Sequence, residues 1–110
     1  MVLASFPNSR IKPRPARTTG DTQILTLVGG GVVTTVAVAN PNRVNLLLRN
    51  LSTTDSIYYG YDNTIDGSPG AQGGFLISPL QSVLIDDPRD IFVFNGNVGT
   101  VNIDIDEGLG

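Results

Sequence analysis

The apolar residues of this chain recur at every second position, in short runs cut by glycine, proline and asparagine. Nowhere do they form a sustained stripe at helical spacing. Period two places alternate side chains on opposite faces of a pleated strand. Val, Ile and Thr supply 30 of the 110 residues, and their branched Cβ atoms suit a pleated, half-buried surface. The pattern predicts strands over 22–28, 32–39, 43–50, 56–61, 75–77, 82–86, 90–95 and 98–106. Gly29-Gly30-Gly31 makes a turn because glycine accepts positive φ. Asn40-Pro41-Asn42 breaks the next run because proline cannot donate to a ladder, and Asn95-Gly96-Asn97 is a hairpin signal. The fold class expected is therefore all-β: an antiparallel β-sandwich or jelly roll of seven or eight short strands, with a barrel also open.

Faces follow from the same period. In the third strand Val44, Leu46 and Leu48 share one side and Asn45, Leu47 and Arg49 the other. In the last, Val101, Ile103 and Ile105 turn to the core while Asn102, Asp104 and Asp106 turn to water. Ile91 and Val93 oppose Phe92 and Phe94, so both sides of that strand are expected to be covered. Ile57, Tyr59 and Tyr61 lie opposite Tyr58 and Gly60; core and rim packing is the preferred reading of these tyrosines. Segment 62–74, rich in Gly, Asp, Ser and Pro, reads as an exposed loop, too polar to bury.

Charge divides the chain into two parts. Residues 1–20 hold Arg10, Lys12, Arg14 and Arg17 and no acid; residues 21–110 hold ten acids against Arg43, Arg49 and Arg89, a balance of −7. The reading is an extended basic arm (1–20) before a β-sandwich body (21–110). Pro7, Pro13 and Pro15 stiffen the arm. A surface ion pair contributes about 0–1 kcal/mol, whereas a buried Leu or Phe contributes about 1.5–3 kcal/mol. Leu3, Phe6 and Ile11 are therefore expected to anchor the arm on a partner protein, and Arg10, Lys12, Arg14 and Arg17 to orient it against acidic residues. The plain alternative is a solvated tail. Nucleic acid is not expected as the partner, because so acidic a body repels it.

Composition removes several chemistries. The chain has no histidine and no cysteine, and its one lysine is Lys12, so the usual general base, zinc ligand and thiolate nucleophile are missing. No enzyme and no cofactor are expected. No apolar stretch is long enough to span a membrane, and the first residues lack the form of a signal peptide. Asp62, Asp66 and Gly67 partly echo a calcium loop, but Thr64 and Gly73 stand where ligands belong, and a solvated turn is preferred. Asp104, Asp106 and Glu107 read as a wet strand edge. The glycine triplet is no phosphate loop, since no Gly-Lys-Ser or Gly-Lys-Thr follows it.

The stretch Asn40-Pro41-Asn42-Arg43-Val44-Asn45-Leu46-Leu47-Leu48-Arg49-Asn50-Leu51-Ser52, with Ile57-Tyr58-Tyr59-Gly60-Tyr61 and Asp90-Ile91-Phe92-Val93-Phe94, resembles the small β-rich cement, or decoration, proteins of tailed bacteriophages. That resemblance implies a homotrimer on the capsid exterior of the virion, with the terminal arm clamping neighbouring copies of the major capsid protein. A second reading is a host-surface or carbohydrate-binding module of a phage tail or head fibre, using the tyrosine strand and loop 62–74. A third is a hydrolase built on a carboxylate among Asp62, Asp66, Asp86 and Asp87.

Overall fold

The computed structural model describes residues 23–69 and 73–109. They form eight strands: β1 (Gln23–Leu27), β2 (Val32–Ala37), β3 (Arg43–Asn50), β4 (Ile57–Gly60), β5 (Phe75–Ile77), β6 (Ser82–Ile85), β7 (Ile91–Asn95) and β8 (Val101–Leu109). Two four-stranded sheets result, with strand orders β1-β8-β3-β6 and β2-β7-β4-β5, every pairing antiparallel. The pairs β1–β8, β2–β7, β3–β6 and β4–β5 are those of one long hairpin rolled up on itself, which is the jelly-roll form of the sandwich. The expected fold class is the observed one.

The core lies between the sheets. Leu46, Leu48, Ile85, Val101, Ile103 and Ile105 from one meet Ile57, Ile77, Ile91 and Val93 from the other. Each fully buried aliphatic side chain contributes roughly 1.5–3 kcal/mol, an upper range because unfolded chains are already partly collapsed. Phe94, on the opposite side of its strand, packs 6.5 Å from Tyr58, and a Cβ on Gly67 would meet both rings at 3.1–3.3 Å, so this side of β7 is covered as expected. Gly30 and Gly31 take φ of 87° and 88°, as the turn reading requires. Gly29 is needed for another reason: a Cβ there would lie 2.3–2.7 Å from the carbonyls of Asn97, Val98 and Gly99.

Three expectations fail locally. Asp104, Asp106 and Glu107 do not form a wet edge, because β8 lies between β1 and β3 and Glu107 pairs with the buried Arg43. Val44 is exposed, not core, and Arg43 is buried. The register between β3 and β8 shifts between Arg43 and Asn45, and this bulge reverses the alternation for the first residues of β3. Segment 62–74 is not wholly exposed either, because Ile65 is 3% exposed.

Candidate functional site

Antiparallel alternation brings the β2–β3, β4–β5 and β6–β7 connections to one end of the sandwich. The β4–β5 connection is built from one short device used twice. Asp62 Oδ1 accepts from Thr64 N and Thr64 Oγ1, both at 3.0 Å. Asp66 Oδ1 accepts from Ser68 N at 3.0 Å and Ser68 Oγ at 2.6 Å. Each is an aspartate closing a turn on the residue two further along. Between them Ile65 plugs the loop into the body, where it fills the space over Gly60: a Cβ on that glycine would lie 2.8 Å from Ile65 Cγ2. Gly67, at φ 76°, donates its N–H to the Gly73 carbonyl at 2.8 Å.

The loop so held forms one wall of an open groove of about 730 Å³. Asp62, Thr64, Asp66 and Ser68 line it from the loop, Phe75 from the start of β5, and Arg89 from the β6–β7 connection. Its aromatic side is a connected series. The Arg89 guanidinium lies 4.2 Å over the Tyr61 ring, Tyr61 meets Tyr59 edge-on at 6.4 Å, and Tyr59 packs 5.2 Å from Phe75. Phe75 is 45% exposed, so the series ends in a ring open to solvent. Tyr59 and Tyr61 are half-buried against the core, in line with the packing reading, while Tyr61 also reaches the groove.

The charges are fixed as well as placed. Arg89 donates to Asp87 through Nε, at 3.0 Å to Oδ1, and Nη2, at 2.7 Å to Oδ2. These bonds and the Arg89 backbone N–H hold the Asp87 carboxyl down at about 2. The Ser68 hydroxyl and backbone N–H hold the Asp66 carboxyl below the usual range. Burial, then the neighbouring Tyr59 and Asp87, push the Tyr61 phenol up. A carboxylic general acid at neutral pH needs the opposite shift, so Asp66 and Asp87 are suited to accept hydrogen bonds as anions. Asp62 and Asp66 each spend only Oδ1 on the bonds described, which leaves Oδ2 available to a ligand. Among the described residues no three His, Cys, Asp or Glu groups gather into a metal-holding cluster.

Sequence reasoning placed Tyr61, Asp62 and Asp66 on one loop and strand; the fold adds Phe75 and Arg89, which no local spacing links to them. Asp86 is not among the groove's lining residues, and Asp87 enters only through Arg89. The arm residues Leu3, Phe6, Arg10, Ile11, Lys12, Arg14 and Arg17 lie outside the described residues.

The sequence matches no protein-family model and no curated protein. Among solved structures the fold is similar to that of PirA, with a TM-score of 0.52 at 17% identity, over 82% of this chain and 95% of that one. The expected kinship with phage cement proteins is overturned: the shared architecture is that of PirA, and no phage capsid homologue accompanies it. The capsid-clamping function drawn from that resemblance falls with it. The physical reason is plain. The quoted segments encode alternation and turns, and a jelly roll serves capsid and lectin domains alike, so the pattern carries the fold and not the partner.

Proposed function

We propose that this chain is a non-catalytic binding module whose loop-end groove holds a saccharide. One observation carries the reading: a solvent-open aromatic face, Phe75 backed by Tyr59 and Tyr61, stands in the same groove as two carboxyl acceptors, Asp62 and Asp66, each with an oxygen uncommitted among the described residues. A sugar presents both matching surfaces. Its C–H face stacks on an aromatic ring, and its hydroxyls donate to carboxylates and accept from a guanidinium. The groove's 730 Å³ falls within the range of about 300–1,000 Å³ usual for small-ligand sites. The lowered carboxyls of Asp66 and Asp87 support binding over hydrolysis. Lectin use of the jelly roll is a fold-level analogy that agrees with it.

A glycan array on the full chain, followed by calorimetry on its strongest hits, tests the proposal. Phe75→Ala is expected to weaken binding by at least about tenfold, or 1.4 kcal/mol. Asp66→Asn is expected to weaken it by a similar factor while the Ser68 turn survives, because an amide oxygen still accepts both bonds. An array without hits, or hits indifferent to both substitutions, sinks the reading.

A further inference from the structure

We infer that Arg43, which does not line the groove, is the positioning residue that sets Arg89 at the groove's mouth. The bulge in β3 turns Arg43 inward, and its side chain is fully buried against a Glu107 side chain that is 35% exposed. Its guanidinium donates through Nε to Glu107 Oε2 at 2.8 Å. Nη1 donates to the carbonyls of Asp87 at 2.9 Å and Arg89 at 2.8 Å, and Nη2 to the carbonyl of Val38. The carbonyl between those two is also taken, since Asn40 N donates to Pro88 O at 2.8 Å. Ala39 N then donates to Asp90 Oδ1 at 2.6 Å. The β2–β3 turn and Arg43 thus hold three successive carbonyls of the β6–β7 connection.

Arg89 needs that support. Its side chain is 64% exposed, and its side-chain restraints among the described residues are the Asp87 pair and the Tyr61 ring. The two-point pair with Asp87 ties the guanidinium only to its own connection, two residues back, and a single cation–π contact over Tyr61 is too weak to set the pose of a long side chain. The backbone on which both are built must be fixed first, and the fork of Arg43 fixes it on both sides of Pro88. Lysine cannot substitute, because an ammonium lacks the planar fork that reaches a carboxylate and three carbonyls at once.

The significance of this role for binding rests on the saccharide reading; the coupling itself does not, and one experiment separates them. In the isotope-labelled full chain, the Tyr61 ring should displace the Arg89 side-chain resonances upfield of those of exposed Arg49. Arg43→Lys is expected to abolish that displacement while the methyl resonances of Ile57 and Val93 stay in place, and to weaken the strongest glycan-array hit about tenfold. If Arg43→Lys does not fold, Glu107→Ala decides, since it frees one arm of the same fork: a reduced Arg89 displacement supports the role. A folded Arg43→Lys, or a Glu107→Ala in its stead, with Arg89 still fully displaced overturns it. Loss of the displacement in a chain that binds no glycan leaves Arg43 in its role and removes the saccharide.

Discussion

At the scale of the residue, two asparagines carry more of this fold than their polarity suggests. Asn50 and Asn95 are both 0% exposed and each ends a strand. Asn50 Nδ2 donates to the carbonyls of Asp55, Ile77 and Ser78, and its Oδ1 accepts from Ser52 N. Asn95 does the same at another corner, donating to Leu27 and Gly99 and accepting from Asn97 N and Nδ2. A buried amide that satisfies several backbone groups is an irregular corner made cheap, and losing it strands those groups without water. Asn50→Asp keeps the shape, removes the donors and sets a carboxylate against three carbonyl oxygens. It is expected to cost about 2–3 kcal/mol in urea denaturation; a loss under about 0.5 kcal/mol would show that the corner stands without the amide.

At the scale of the element, the loop between β4 and β5 depends on one apolar side chain among its described residues. Ile65 was the exception in a segment whose composition says loop, and it is the part that packs. Ile65→Ala is expected to cost about 2–3 kcal/mol, toward the lower end for buried aliphatics because a loop can partly collapse. Saccharide binding should fall further than stability does, with Asp62 and Asp66 chemically intact but no longer held, as calorimetry against the array hit would show. Equal binding by that variant would mean that the groove does not need its loop wall. The same loop shows what period and composition can reveal. Strands 43–50 and 75–77 were legible to the residue, because alternation and flanking turn residues are local facts. For the last strand the alternation predicts 98–106, whereas it runs Val101–Leu109. Its end is set by pairing with β3, and its start by the corner that Asn95 makes. The bulge that buries Arg43 has no local signal, and neither does the meeting of Phe75 and Arg89 with Tyr61: each is produced by contacts between segments far apart in the chain. The aspartates and the tyrosine strand of the groove were visible; their assembly into one site was not.

At the scale of the whole molecule, the chain contains no histidine, and among the described residues the groups whose titration the fold clearly shifts are all moved away from neutrality. Asp66 and Asp87 are held low, the latter at about 2. Tyr59 is pushed up by burial, and Tyr61 by burial and its neighbours. A carboxyl whose folded value is depressed adds stability that is complete above its unfolded value, about 3.9, and that is lost as pH falls through the folded value. A phenol whose folded value is raised works in the opposite sense: its contribution is complete below about 10 and is lost as pH rises through the folded value. Together these shifts predict a flat stability profile between about pH 4.5 and pH 9.5, falling on both sides. Urea denaturation across pH 2 to 11 checks it, and Asp87→Asn should remove part of the acid limb only. A transition near pH 6–7 would contradict the prediction, since no side chain of this sequence titrates there at its ordinary value. The same plateau should appear in saccharide binding, because Asp66, held low by Ser68, and the Arg89 guanidinium, held up by Asp87, keep their charges throughout that window. Binding that fades between pH 5 and 9 while the fold persists would place the decisive ligand contact outside this groove.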